Sequence, residues 1–323
     1  MRRRLVLPTP LLATVVLGAL VGGLASCSLF DDEAASPTTA GAVTTTTTPG
    51  SEVLDAGRGP RKELRLRFTE GAATTVALTL GLDVTQRAGG AEQGLDSPVV
   101  RETVRFTVGP TRGDEATVSF AFTGATVDGE GTDLTAAELA ELGTEIGRLV
   151  GLGGTGTISA LGSFTSFAYD LPDGLDPEVT AALEQAEQQL SALALPLPRE
   201  PLGVGARWRT TTRTELSGIV LDQVTTYEIT ELTDSGVAYT ASSSQTAARQ
   251  RIDPATLPAG STAELVSADI EGATTGSLDL GSLLATTSST LSGTQEVELR
   301  TGDGPTQRLS QRIDVTVSVA AAG

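Results

Sequence analysis

Val76-Ala77-Leu78-Thr79-Leu80-Gly81-Leu82-Asp83-Val84 alternates large apolar residues with small or polar ones. Period-two alternation puts Val76, Leu78, Leu80, Leu82 and Val84 on one face of an extended chain and leaves the other face wet. The pattern recurs on both sides. Upstream, Leu64, Leu66 and Phe68 alternate with Arg65 and Arg67; downstream come Val104, Phe106 and Val108, then Val118, Phe120 and Phe122. Val297 and Leu299, and Ile313, Val315, Val317 and Val319, repeat it near the end. Turn-forming stretches separate these runs, among them Thr111-Arg112-Gly113-Asp114, Thr233-Asp234-Ser235-Gly236 and Thr301-Gly302-Asp303-Gly304. The expected fold class is mainly β with some α+β character: a curved antiparallel sheet or half-barrel with two packed helices.

The helices are expected at two interruptions. The first follows Asp133, read as its cap, and carries Leu139, Leu142, Ile146, Leu149 and Val150 on one stripe. Gly143 and Gly147 weaken it by about 1 kcal/mol each relative to alanine. The second opens on Asp176-Pro177-Glu178, a cap followed by proline at the first helical position. Its stripe is Val179, Leu183, Ala186, Leu190 and Leu193, and it stops before Pro196. Two hairpin-like stretches, from Arg101 to Phe122 and from Thr225 to Thr240, echo each other and suggest an internal pseudo-repeat within a body spanning 62–323.

The amino terminus reads as an address. Arg2, Arg3 and Arg4 precede an apolar run from Leu11 to Leu24, long enough for a signal-peptide core and too short to span a bilayer. Leu24-Ala25-Ser26-Cys27 follows and is similar to the lipobox of bacterial lipoproteins. That resemblance implies cleavage of residues 1–26, diacylation of Cys27, and residence on the outer face of the bacterial cytoplasmic membrane. A single acyl chain would hold only marginally, whereas two give stable attachment. Residues 27–61, rich in Thr, Ser, Pro and Gly, are expected to form a disordered tether, because such a composition cannot bury enough apolar surface to offset chain entropy.

Composition narrows the chemistry. With no histidine and Cys27 as the only cysteine, Ser-His-Asp, Cys-His and His-ligated metal sites are excluded. Lys62 is the only lysine and stands where the tether meets the body. No phosphate-binding glycine loop is present. Carboxylates remain, at Asp114-Glu115 and along Asp128-Gly129-Glu130-Gly131-Thr132-Asp133. A hydrolase would need two of them facing one cleft, and aromatic residues that could platform a sugar make up only 3% of the chain. The acidic runs read as solvated surface, and no metal, cofactor or catalytic residue is expected. The formal net charge of −18 opposes nucleic acid and anionic membrane surfaces as partners.

Taken whole, the lipobox, the threonine tether, the strand-rich body and the segment Gly203-Val204-Gly205-Ala206-Arg207-Trp208 resemble a group of bacterial lipoproteins, a likeness that implies no activity. The succession of strands, helices and strands is similar in architecture to half-barrel lipoprotein carriers of the LolA and LprG type, where a curved sheet and helical lid enclose acyl chains. This likeness carries no site residue over. The leading expectation is a non-enzymatic, membrane-anchored lipoprotein that binds a lipid or other apolar ligand under the sheet. Its cavity would be lined by Leu139, Leu142, Ile146, Leu149, Val179, Leu183, Leu190 and Leu193. The alternative is an envelope interaction or structural module with these residues in a filled core, its protein partner unspecified. A carboxylate-based hydrolase is third.

Overall fold

The computed structural model describes residues 51–169, 193–216, 219–252, 260–302 and 304–322. The leader and its lipobox (Leu24, Ala25, Ser26, Cys27), the tether up to Gly50, and Val179, Leu183 and Leu190 of the second expected helix lie outside the described residues.

The chain forms a 14-stranded antiparallel sheet that does not close on itself. Its strands are β1 (Ser51–Asp55), β3 (Ala73–Ala88), β4 (Ala91–Asp96), β5 (Val99–Arg112), β6 (Glu115–Asp128), β7 (Gly153–Ser159) and β8 (Phe164–Tyr169). After these come β10 (Arg207–Leu216), β11 (Ile219–Leu232), β12 (Gly236–Ala247), β13 (Gln250–Arg251), β14 (Ser261–Asp279), β15 (Thr286–Thr301) and β16 (Gln307–Ala321). The order across the sheet is β1-β10-β11-β12-β14-β15-β16-β3-β5-β6-β7-β8, with β4 on β3 and β13 on β14. Two further strands, β2 (Arg58–Lys62) and β9 (Leu202–Val204), pair only with each other. The expectation of a mainly β, curved antiparallel fold is therefore met.

The long strands turn one face inward, buried mainly towards the two ends of the sheet, and bulges keep that phase where strands bend. β14 shifts register between Leu265 and Ser267, so Ala263 and Leu265 before the shift and Ala268 and Ile270 after it all point inward. At one end of the sheet, inward residues of both halves meet in the main core: Phe106, Phe120 and Ile158 from one side, Trp208, Ile229 and Tyr239 from the other. At the opposite end, Ile219, Ile252, Leu265, Val297, Leu299 and Leu309 form a second core.

Sequence reading misplaced four features. Leu64, Leu66 and Phe68 are not on a sheet strand; residues 63–69 are extended but unpaired and plug the main-core end. Leu66 N–H donates to the Ala160 carbonyl at 2.9 Å, and Arg67 N–H to Leu280 at 2.6 Å. Alternation reports two environments, and an extended plug has them as much as a strand does. Second, the tether ends earlier than Arg61: β1 pairs with β10, Val53 packs on the main core, and Glu52 pairs with Arg209 at 2.6 Å. A single edge strand of five residues is too short to stand out from a polar stretch. Third, the first helix, α1 (Ala136–Gly147), is capped by Thr135 rather than Asp133. Thr135 and Glu138 form a reciprocal capping box, which satisfies two end groups where Asp133 would satisfy one. Fourth, Leu149 and Val150 lie beyond the Arg148 cap, and Val150 is exposed. Among the described residues α1 is the only helix.

Candidate functional site: the concave face

The inward positions between the two cores make a concave face whose rows follow from register. Tyr239, Gly276, Thr287, Val319, Leu78, Glu102 and Ala125 stand side by side from β12 to β6. Further along the strands, Leu291, Val315 and Leu82 form another row, and Gly293, Ile313 and Val84 the next. The face divides lengthwise. Across β15, β16 and β3 runs an apolar stripe, beyond Thr287 and Ser289 of β15: Leu82, Val84, Ile313 and Val315 are buried, with Leu80, Leu291 and Val317 half-buried against them. On β10, β11 and β12 it is polar at mid-length, and β14 carries Thr274 near the buried Ile270.

The polar half is internally hydrogen-bonded. Gln245 Nε2 donates to Gln223 Oε1 at 3.0 Å, and Gln223 Nε2 to Thr225 Oγ1 at 3.1 Å. Thr274 and Ser289 share a hydroxyl bond of 2.9 Å. A glutamine chain crosses the apolar half at its far end, where Gln295 donates to Gln311 and Gln311 to Gln86. Fully partnered amides of this kind fix register without leaving buried polar groups unmet. At the main-core boundary Trp208 stacks on Tyr227, centroids 4.9 Å apart and planes 12° from parallel, and its Nε1 donates to the Pro196 carbonyl at 2.9 Å. Burial raises the Tyr227 phenol's pKa against the opposing effect of hydrogen bonds with Thr210 and Thr225.

Glu102 departs from this pattern. It lies on the inward face of β5, in phase with Val100, Val104, Phe106 and Val108, and is 4% exposed. Its register neighbours are Leu78 and Ala125. Oε1 is buried without a hydrogen-bond partner, and burial alone raises the carboxyl pKa to about 7. The flanking inward positions of β3, β5 and β6 carry no lysine or arginine; Arg101 and Arg105 occupy the outward phase. Sequence reading took Val104, Phe106 and Val108 as one apolar face and missed that Glu102 falls in the same phase. That phase was the available signal.

Of the expected cavity residues, Leu139, Leu142, Ile146, Leu149 and Leu193 are among the described ones. α1 packs along β6, with Leu139 against Gly129. Leu139 and Leu142 are half-buried, Ile146 is buried outside both cores, and Leu149 and Leu193 pack on the main core. Clefts of about 310 and 330 Å³ lie elsewhere on the described residues. The first is lined by Arg105, Thr107, Ser119 and Gly153, the second by Arg65, Arg67, Phe68 and Asp114, and neither touches α1. The acidic runs serve local structure: Asp128 Oδ1 accepts from Glu130 N–H at 3.0 Å, and Asp114 pairs with Arg65 at 2.9 Å. Among the described residues no group of acidic side chains is arranged to hold a metal ion.

No family model and no curated protein matches the chain. Among solved structures it is similar to Pseudomonas aeruginosa OccK11 (OpdR), at 9% identity over 80% of this chain and 100% of that one, with a TM-score of 0.20. It is also similar to an outer membrane channel from Pseudomonas putida F1, at 12% identity over 78% and 97%, with a TM-score of 0.12. The likeness is weak, rests on a large antiparallel sheet, assigns no family and carries no functional argument.

Proposed function

We propose that this protein is a lipid-anchored envelope protein that holds a lipid or similar amphiphile on the concave face of its sheet. The carrying observation is the incomplete burial of that face at mid-length. Leu78, Leu80, Leu291 and Val317 are half-buried, although they lie between two sealed ends and point inward. A core filled to ordinary density would bury such residues. The apolar half suits a hydrocarbon tail and the Thr, Ser and Gln half a polar part, the usual division of a small-molecule site. A filled interaction module is the competing reading, favoured by the near-complete burial of Val84 and Ile313 beside the same stripe.

A neutral apolar fluorophore, N-phenyl-1-naphthylamine, separates the two. Under the carrier reading it binds the processed protein saturably, and Leu80→Asn or Val317→Asn weakens binding about tenfold while the domain stays folded. Absence of saturable uptake, together with no lipid co-purifying from membranes in native mass spectrometry, leaves the filled-core module.

A further inference from the structure

A carboxyl taken out of water with no donor beside it is costly, and an apolar residue would fill the Glu102 position without that penalty. The surroundings offer no remedy. Leu78, Val100, Val104 and Ala125 flank it, and no basic side chain shares its face on β3, β5 or β6. Among the described residues nothing supplies the missing partner, which leaves the position open to a ligand. Glu102 also stands at the end of an apolar track. From its register partner Leu78, inward positions run through Leu80 and Leu82 to Val84 on β3, beside Val317, Val315 and Ile313 on β16. At the rise of an extended strand this track is about 20 Å long. The glutamine chain through Gln86 and Gln311 closes its far end.

We propose that Glu102 is the polar anchor of this face and that the site takes a cationic amphiphile, a primary amine on an unbranched apolar tail. The ammonium sits on the carboxylate and the tail lies along Leu80, Leu82 and Val317. This deepens the carrier reading and rests on it. Ionisation of Glu102 and docking of the amine are coupled: the cation supplies the favourable interaction that burial denies the carboxylate. The net charge of −18 favours approach of a cation and opposes an anionic amphiphile. The raised pKa of Glu102 agrees with a carboxyl held ready for such a partner.

The test uses the full processed lipoprotein in a non-ionic detergent, titrated with dodecylamine, dodecanol or dodecanoate and read by native mass spectrometry. Dodecylamine should bind about tenfold tighter than dodecanol, and dodecanoate weakest. Glu102→Gln, nearly the same shape without the charge, should bring dodecylamine down to the dodecanol level and leave dodecanol unchanged. Equal binding of amine and alcohol, or a Glu102→Gln protein that keeps the amine preference, overturns the assignment of Glu102 while the carrier reading stands. If none of the three binds, the carrier reading falls and this assignment with it.

Discussion

The ring of Tyr239 lies across Gly276 on the neighbouring strand, so that a Cβ built on the glycine would stand 2.6 Å from Cζ and 2.7 Å from Oη. The absent side chain is what lets the ring lie flat on the sheet, the aromatic-over-glycine arrangement that also pins strand register. Tyr239 is buried, so the ring has little room to yield. Gly276→Ala should therefore destabilise the domain by about 1–3 kcal/mol, the usual range for overpacking. Urea unfolding followed by Trp208 fluorescence measures it, and an unchanged midpoint would show that the ring is free to swing away.

Glycines in α1 predict the opposite sign. A Cβ on Gly143 meets nothing within 4 Å, so no close packing requires glycine there. Gly143→Ala should stabilise α1 by about 0.5–1 kcal/mol through lower chain entropy and better helix propensity. Hydrogen exchange of the α1 amides is the appropriate readout, since the gain is local. A loss of protection would mean that the helix needs a bend at this position.

The strands were legible because valine, leucine and isoleucine alternate over long runs, and Ile313 to Val319 lies within β16 as the pattern implies. What packs against the end of the sheet was not. Leu64 and Leu66 follow the same alternation but plug an end, because period two reports sidedness and says nothing of hydrogen-bonded neighbours. Gly203-Val204-Gly205-Ala206-Arg207-Trp208 was conspicuous without an evident cause. The cause is tertiary: a Cβ on Gly203 would lie 1.8 Å from the Arg58 carbonyl oxygen, and Gly205 has a φ of 79°. Trp208, which ends the segment, is fully buried. The site residues were sought in helices, where apolar stripes are easy to see. Glu102 sat unremarked inside a strand: its phase with Val104 and Phe106 was legible, but alternation alone does not say how completely that face is covered.

The anchor has its own test. If Cys27 carries the lipid, Cys27→Ser should move the protein out of the membrane fraction or leave it as an uncleaved precursor. Fractionation with labelled-palmitate incorporation reads both outcomes. A variant that is still cleaved, still membrane-bound and still labelled would show that the resemblance to a lipobox is misleading.

The sharpest prediction concerns pH. In the folded protein the Glu102 carboxyl holds its proton up to about pH 7, against an ordinary value of 4.5, with burial the only cause. An acid whose pKa is raised on folding binds its proton more tightly in the native state. Stability is then undiminished below the unfolded value, falls as pH rises from 4.5 towards 7, and levels off above. The difference corresponds to an upper limit of about 3 kcal/mol lost across that window. Glu102→Gln removes this contribution and leaves every other titrating group in place. Near pH 4.5 the variant should unfold at about the same urea concentration as the parent. At roughly pH 8 it should be the more stable of the two, by up to about 3 kcal/mol. Adding dodecylamine at that higher pH should stabilise the parent more than the variant, since a ligand that binds only the folded state raises its stability by mass action. Parallel pH curves for parent and variant would place the carboxyl in contact with water and remove the basis for its role as an anchor.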